Sequence, residues 1–326
     1  MKTTLTALLV AASLVVAGCG SQNSDTQGDS LKGTITISGA WALYPMAVKW
    51  AEEFKKIHPH VRFDISAGGA GKGMADALSG AADIGLVSRD VYPAEREKGA
   101  VPIGVAKDAV IPVANADNPV IEKLLRTGIT RKRFEDIWIK GALTDWSEVV
   151  APATESVRPA TAAINVYTRS DACGAAATWA KFLGYNQEDL NGTGVYGDPG
   201  IAEAVRRDTQ GIGYNNINFA YDAHTKRPVK GLVIVPIDLD ENGRIDEGED
   251  FYRTRDEIVR AIVDGVYPSP PARPLYFVTK GAPESAATAR FVQWVLTDGQ
   301  QYIDEAGYVS LSDETLKNEQ EKTRTW

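Results

Sequence analysis

Strand-like runs alternate with amphipathic helical runs in the first part of the chain, and this alternation restricts the fold more than any other feature. Runs rich in β-branched residues predict strands, and apolar residues at helical spacing predict helices. The predicted strands are residues 34–38, 61–66 and 82–87, and the predicted helices are residues 45–57 and 71–79. Because strands that alternate with helices form layered sheets, the sequence predicts an α/β protein.

Both predicted helices begin in a loop that directly follows a strand. The first loop contains Ala42 and Leu43, and the second is rich in glycine and contains Gly69, Ala70 and Gly71. Glycine lets backbone N–H groups approach a ligand closely, and N–H groups at helix starts attract anions. Since ligands of open α/β sheets bind beyond the carboxyl ends of the strands, the sequence predicts an anion site where these loops meet.

Two further strand ends carry cations. Arg169 and Asp171 precede a helix that is predicted to start near Gly174, and Ser88 with Arg89 ends another strand. A guanidinium beside a helix start suits an oxyanion, and the aspartate can orient the arginine or accept a proton from the ligand. The alternative is an ordinary capped helix with a surface ion pair.

The amino terminus resembles an export signal. Lys2 precedes an apolar stretch at residues 8–16, too short to span a membrane, and the tetrapeptide Val-Ala-Gly-Cys ends at Cys19. This resembles the lipobox of bacterial lipoproteins, which implies cleavage after residue 18, lipid on Cys19 and a flexible tether at residues 20–30. The alternative is an ordinary signal peptide in which the cysteine has no role.

Net charge excludes one class of partner. The formal charge is −8, and removal of residues 1–18 deletes one lysine and no acid, which makes it −9. Nucleic-acid binding needs clustered positive charge, so no nucleic-acid partner is expected.

Cys173 has no partner for a disulfide once Cys19 carries lipid. A thiol at a helix start beside an arginine is expected to have a lowered pKa, which opens a second hypothesis: a thiol-dependent enzyme acting on an anionic or phosphorylated substrate. The histidines that would serve as its base are His58, His60 and His224, and none is near Cys173 in sequence.

The order of several motifs is similar to that of the phosphate-binding proteins that serve ABC transporters. These motifs are Ser38-Gly39-Ala40, Tyr44-Pro45, Trp50, Gly68-Gly69-Ala70-Gly71, Asp83-Ile84-Gly85, Ser88-Arg89, Phe134, Ile137-Trp138, Trp146, Arg169-Ser170-Asp171, Gly174, Gly211-Ile212-Gly213-Tyr214, Phe291, Trp294-Val295, Gly299-Gln300 and Gly307-Tyr308-Val309. The resemblance implies a two-lobed periplasmic-binding-protein type II fold with two crossover strands. The implied crossovers lie near residues 110–113 and 275–278.

The implied protein is a monomeric, extracytoplasmic lipoprotein of the periplasm or cell surface that passes an oxyanion to the permease of an ABC transporter. Its first lobe would comprise residues 32–110 and 276–326, and its second lobe residues 111–275. A sensory or adhesive binding protein on the same scaffold is an alternative. The resemblance implies no catalytic residue.

The oxyanion ligands implied by the resemblance come from four loops. They are Ala42, Leu43, Gly69, Ala70, Gly71, Ser88, Arg89, Arg169, Asp171, Cys173, Gly174 and Ala175. The family usually has hydroxyl residues where this chain has Cys173 and Ala175 and in the loop with Ala42 and Leu43. Each lost hydroxyl removes a donor worth about 0.5–1.5 kcal/mol. Phosphate is the expected anion, and sulfate-like, tungstate-like or larger phosphorylated ligands are the alternatives.

Residues 238–249 match the twelve-residue calcium loop of EF-hands at every diagnostic position. The predicted ligands are the side chains of Asp238, Asp240, Asn242, Asp246 and Glu249 and the carbonyl of Arg244, with Gly243 at the sharp turn. A strand before the loop and a helix after it predict a strand–loop–helix variant that holds structural Ca²⁺ in the second lobe. The alternative is an acidic surface loop.

Overall fold

The computed structural model describes residues 31–150 and 162–326, and Leu31–Trp326 forms one compact unit. The predicted signal segment, Cys19 and the predicted tether at residues 20–30 lie outside the described residues. Within the described ranges, no helix is long and apolar enough to cross a membrane.

The first part of the chain folds as the alternating pattern predicts. Its elements are β1 (Gly33–Gly39), α1 (Tyr44–Ile57), β2 (Val61–Ala67), α2 (Ala70–Ser79), β3 (Ile84–Val87) and α3 (Pro93–Glu97), with a 3₁₀ turn at Trp41–Leu43. β1 pairs in parallel with both β2 and β3. α1 forms because Met46, Trp50 and Phe54 share one face, and each is fully buried against the sheet.

The middle of the chain forms a second group of strands and helices. Its elements are β4 (Ala100–Asn115), α4 (Ile121–Thr127), β5 (Ile129–Thr130), α5 (Arg131–Trp138), α6 (Trp146–Val149), β6 (Asn165–Arg169), α7 (Gly174–Leu183), β7 (Thr193–Val195), α8 (Gly197–Arg207), β8 (Gly211–Asn216), α9 (Ile217–Ala220), β9 (Leu232–Ile234), β10 (Ile237–Asp238) and α10 (Arg255–Val263).

The chain then returns to the first group through β11 (Ala272–Lys280), α11 (Ala286–Val295) and α12 (Asp313–Thr323). The main sheet has the order β2-β1-β3-β11-β4-β8-β6-β7, with β9 also paired to β4, and a small separate sheet pairs β10 with β5. The strands that lead into the predicted ligand loops thus lie on both sides of the β11-β4 pair: β1, β2 and β3 on one side, and β6 on the other.

Two antiparallel strands, β4 and β11, run through both halves of the molecule. Buried apolar side chains form two clusters: one contains residues from 35–106 and 275–308, and the other contains residues from 109–272. The chain passes from one cluster to the other within β4 and within β11, where Arg273 pairs with Asp108. The described residues thus have two cores that share a pair of crossing strands.

Candidate functional site

Arg169 lies at the end of β6 and is buried between two carboxylates. Its Nε and Nη2 atoms donate to Oδ1 and Oδ2 of Asp171 at 2.7 and 2.6 Å, and Nη1 donates to Oδ2 of Asp198 at 2.6 Å. Burial alone would lower the pKa of Arg169, but the charges of Asp198 and Asp171 outweigh burial and hold that pKa above its usual value. The interpretation as a surface ion pair is therefore wrong, since the side chain is only 1% exposed.

A narrow space lies beside Arg169, between loops of the two cores. Its lining residues are Ala40, Trp41, Ala42, Gly69, Ala70, Ser88, Arg169, Cys173, Gly174, Ala175, Asp198 and Asn216. Sites for drug-sized molecules measure about 300–1,000 Å³, so these closely packed loops exclude an organic metabolite of that size. The structure thus brings the arginine and the glycine-rich loop to one cleft.

Helix starts supply N–H donors to this cleft. The backbone N–H groups of Ala42, Ala70, Gly174 and Ala175 have no acceptor among the residues that the structure describes. The indole Nε1 of Trp41 is buried and likewise has no acceptor within the described ranges. Because unpaired donors in a closed space favour a negative guest, the cleft is built to receive an anion.

Three predicted ligands have their N–H groups engaged elsewhere. The N–H of Gly69 donates to the carbonyl of Gly39 at 3.0 Å, and that of Leu43 donates to Ala40 at 3.2 Å. The N–H of Gly71 donates to the carbonyl of Ala172 at 3.0 Å across the cleft. Of these three residues only Gly69 lines the cleft, and none of them offers a free amide in this conformation.

The expected role of Arg89 is wrong in this structure. Its guanidinium forms two hydrogen bonds with Glu95, at 3.0 and 2.7 Å, and lies 4.4 Å from the ring centroid of Tyr92. Arg89 lines a wider neighbouring cavity, which shares Cys173 with the cleft, and it does not line the cleft itself, whereas Ser88 does. Successive residues at a strand end point to opposite sides, so one guanidinium rather than two faces the anion space.

The expected activation of Cys173 is also wrong. Burial raises the pKa of its thiol to about 12, and the nearby positive charge of Arg169 does not compensate. The Sγ atom instead caps α7 by accepting the N–H of Ala176 at 3.4 Å. No histidine lines the cleft among the described residues. The thiol of Cys173 is therefore protonated and has no histidine beside it to act as a general base.

Two polar residues of the cleft, Asp198 and Asn216, are absent from the sequence prediction. Asp198 lies in the first turn of α8, and its Oδ1 accepts the backbone N–H and Nδ2 of Asn216 at 3.0 and 2.8 Å. In the sequence, Asp198 indicates only a favourable acidic residue at the start of a helix. Its arginine partner lies on β6, so sequence spacing does not connect the two residues. Asp198 lines the cleft, whereas Asp171, the predicted carboxylate, is not among its lining residues.

A series of contacts between buried polar side chains connects the cleft with the crossing strands β4 and β11. The Nη2 atom of Arg273 donates to Oδ1 of Asn216, and the same atom lies 3.7 Å from Oδ2 of Asp108. Burial raises the pKa of Asp108 to about 7, although the charge of Arg273 opposes the shift. The charge on Arg169 is thus linked through Asp198, Asn216 and Arg273 to a carboxyl group on β4.

The two sides of the cleft come into close contact at glycines, which have no side chain to keep the backbones apart. A Cβ atom on Gly69 would lie 2.8 Å from the carbonyl oxygen of Ala172, and one on Gly174 would overlap Ser88. A Cβ atom on Gly197 would lie 3.1 Å from the ring of Trp41. These close approaches and the hydrogen bond from Gly71 to Ala172 join the two sides of the cleft, so the described conformation is a closed one.

Comparisons with known sequences support this geometry. A family model described as a PBP superfamily domain matches residues 24–299. The chain is 23% identical over 320 residues to the phosphate-binding protein PstS of Staphylococcus epidermidis, covering 95% of this chain and 89% of that protein. It is also 23% identical over 316 residues to the PstS of Staphylococcus aureus, covering 94% and 88%.

Solved structures share the fold. A phosphate ABC transporter substrate-binding protein from Clostridium perfringens, with bound phosphate, is 22% identical with a TM-score of 0.68 over 86% of this chain and 100% of its own. An ABC-type phosphate transport receptor from Vibrio cholerae is 21% identical with a TM-score of 0.59, over 85% and 100%.

Proposed function

The chain belongs to the PBP superfamily, and from this premise we propose that it is the phosphate-binding protein of an ABC transporter. The family match and the solved structures that share the fold confirm the predicted α/β periplasmic-binding-protein architecture. The relatives named above are binding proteins rather than enzymes. The function proposed for this chain is therefore capture and delivery of an anion, without turnover.

One observation carries the choice of anion: Arg169 shares the cleft with a carboxylate. Arg169 carries one positive charge, and its partners Asp171 and Asp198 carry two negative charges, so the group as a whole is negative. A fully ionised anion is repelled by Asp198, whereas a ligand that retains a proton donates it to a carboxylate oxygen. Phosphate retains a proton at neutral pH and sulfate does not, so this arrangement favours phosphate.

The lining of the cleft also supports a modest rather than extreme affinity. Ser88 supplies the one hydroxyl among the lining residues, and Ala42, Ala70, Cys173 and Ala175 supply none. Each hydroxyl donor contributes about 0.5–1.5 kcal/mol, so binding here depends on backbone amides, the Trp41 indole and Arg169. We expect a dissociation constant in the micromolar range, which corresponds to about −8 kcal/mol.

The proposal extends to the location of the protein. Export and a lipid anchor at Cys19 would keep the binding cleft outside the cytoplasm beside a permease, and the segment at residues 20–30 would act as the tether. Metabolic labelling with a fatty acid tests this: the wild-type chain should be labelled, and Cys19→Ser should not. Labelling that survives the substitution would contradict the anchor.

Calorimetric titration of the purified full chain tests the anion. Phosphate should bind one to one with a dissociation constant in the micromolar range, and sulfate should bind about 100-fold more weakly or not at all. Asp198→Asn should narrow the difference between the two anions, because it removes the repulsion of sulfate. Asp171→Asn is the matched variant, and it should preserve the preference because Asp171 does not line the cleft.

Two results would overturn this function. One is the absence of phosphate binding at millimolar concentration, and the other is equal affinity for sulfate and phosphate. Turnover of an anionic phosphate ester that iodoacetamide abolishes would instead favour the thiol-dependent enzyme. The raised pKa of Cys173 disfavours that outcome.

A further inference from the structure

The acidic loop at residues 238–249 is held to the second core before and after its turn. Its first residue, Asp238, belongs to β10, which pairs with β5 at Ile129–Thr130. Further along, the N–H of Ile245 donates to the carbonyl of Arg126 at 2.7 Å. The loop therefore has a defined path on both sides of its turn.

Carboxylate oxygens converge inside this loop. One oxygen each of Asp238, Asp240 and Glu249 lies within 4.8 Å of the other two. Asp238 is 2% exposed and Glu249 is 7% exposed, whereas Asp240 faces solvent. Negative groups held this close repel one another, and the repulsion is strongest between the two buried carboxylates; a cation between them would remove it.

A second and independent observation points to a bound cation. Oδ2 of Asp238 accepts the N–H of Gly243 at 2.9 Å, but Oδ1 of Asp238 is buried and has no hydrogen-bond partner within the described ranges. A buried carboxylate oxygen without a partner is costly, and such atoms in proteins are normally satisfied. Oδ1 of Asp238 is therefore available as a ligand.

The rest of the loop supplies oxygen donors of the right kind. Nδ2 of Asn242 donates to Asp240 and to Asp246, each at 2.8 Å, which gathers these side chains at the turn. Gly243 has a φ of +82°, so the sharp turn needs glycine. The loop contains six carboxylates and one guanidinium, that of Arg244, which pairs with Asp246 at 2.9 Å. The excess of negative charge matches a divalent cation.

We propose that this loop binds one Ca²⁺ ion and that the ion stabilises the second core. A site made only of oxygen ligands, with a glutamate at its last position, favours Ca²⁺ over transition metals and over the smaller Mg²⁺. Asp238, Asp240, Asn242, Asp246 and Glu249 would hold the ion with side-chain oxygens, and Arg244 with its carbonyl. This site is separate from the anion cleft and does not depend on the function proposed for it.

Calorimetry and thermal unfolding of the full chain, freed of metal with EDTA, test the site. We expect one Ca²⁺ per chain with a dissociation constant of about 10⁻⁴–10⁻³ M or tighter, as in extracellular modules. The melting temperature should rise with Ca²⁺ concentration, because a ligand of the folded state stabilises it, and Mg²⁺ should have a smaller effect. Glu249→Gln should weaken Ca²⁺ binding by about tenfold or more.

Glu247→Gln is the matched control. It removes the same charge from the same loop at a position that is not a predicted ligand, and it should change Ca²⁺ affinity by less than about threefold. If Glu249→Gln does not fold, Asp240→Asn replaces it, because Asp240 is exposed and its substitution should weaken Ca²⁺ binding without unfolding the chain.

Three outcomes would overturn the calcium site. They are the absence of Ca²⁺ binding at about 10 mM, an equal loss of affinity in Glu247→Gln and Glu249→Gln, and an equal response to Mg²⁺ and Ca²⁺. Phosphate titration of the same EDTA-treated sample separates this result from the proposed function. Phosphate binding without Ca²⁺ binding would contradict only the calcium site.

Discussion

The anion cleft and the loop at residues 238–249 both hold buried carboxylates, but they neutralise them differently. In the cleft, Arg169 binds Asp171 and Asp198 directly, so the carboxylates have a cation of the protein's own. In the loop, Asp238 has one buried oxygen with no partner among the described residues. Arg169 compensates only part of the negative charge in the cleft, so the cleft selects its anion by hydrogen-bond direction and by the proton that the anion retains. The loop has no such cation at Oδ1 of Asp238 within the described ranges, so it selects a cation by charge.

The largest expected effect comes from removal of the cation in the cleft. Arg169→Met should lower the free energy of unfolding by about 3–5 kcal/mol, because it leaves two buried carboxylates without their cationic partner. Phosphate affinity should fall at least about 100-fold, since the cleft then presents only negative charge. Denaturant unfolding and calorimetric titration measure both effects.

Arg89→Met is the matched control for the cleft. Arg89 pairs with Glu95 outside the cleft, so its loss should cost about 1 kcal/mol of stability and change phosphate affinity by less than about threefold. If the Arg89 variant lost phosphate binding as Arg169→Met does, the cleft would need both guanidinium groups, and the structural distinction between them would fail.

The next largest effect should come from the contact that closes the cleft. A Cβ atom on Gly174 would overlap the carbonyl oxygen and Oγ of Ser88, so Gly174→Ala should hold the two sides apart. Overpacking of this kind costs about 1–3 kcal/mol, which corresponds to phosphate affinity about 5- to 150-fold weaker. Gly248→Ala, whose added Cβ meets nothing within 4 Å, is the control and should bind phosphate normally.

Small-angle scattering checks the cause of that loss. With saturating phosphate, the wild-type chain should become more compact, and Gly174→Ala should not. Compaction of the variant equal to that of the wild type would show that Gly174 does not limit closure.

A smaller effect concerns Asp108 on the crossing strand β4, which should make the stability of the chain depend on pH. Burial raises the pKa of Asp108 to about 7, so the folded state holds this proton more tightly than the unfolded state does. The stabilisation that results is present below pH ~4 and is lost as pH rises towards 7. Asn cannot ionise and therefore does not lose this stabilisation. As the pH rises from 5 to 6.5, the free energy of unfolding of Asp108→Asn should increase by about 1–2 kcal/mol relative to that of the wild type.

Denaturant unfolding of Asp108→Asn and wild type at several pH values measures this difference. The comparison between the two proteins cancels the carboxylates whose pKa values are lowered, such as Glu53 and Asp222. A difference that does not vary with pH would mean that Asp108 is already neutral or already ionised across this range.

The sequence predicts the loop at residues 238–249 more completely than the anion cleft, because the residues of the loop are consecutive and those of the cleft come from distant parts of the chain. The loop at residues 238–249 has all of its candidate ligands within twelve consecutive positions, so residue spacing alone describes it. Its occupancy by Ca²⁺ stays a prediction. In the cleft, Arg169 and Gly174 belong to one strand–loop–helix motif, and the structure places both of them in the lining. The alternation of elements correctly predicted the α/β fold.

The errors in the cleft have a common physical cause. Asp198 and Asn216 were missed because only the packing of α8 and β8 against β6 brings them to Arg169. Arg89 was assigned to the cleft because sequence does not reveal that Glu95 binds its guanidinium. The pKa of Cys173 was expected to fall because its helix position is visible in sequence and its burial is not. Tertiary contacts decided each case.

The smallest expected effect concerns the hydroxyl groups that the cleft lacks. Cys173→Ser places an O–H donor where the thiol now caps α7, and a donor of this kind should tighten phosphate binding by about 0.5–1.5 kcal/mol, or two- to tenfold. Serine is also a good helix cap, so the melting temperature should not fall. Cys173→Ala supplies no donor and is the matched control in the same titration. Equal phosphate affinity of the serine and alanine variants would show that the cleft does not use a donor at this position, and that its selectivity comes from the amides, Arg169 and Asp198 alone.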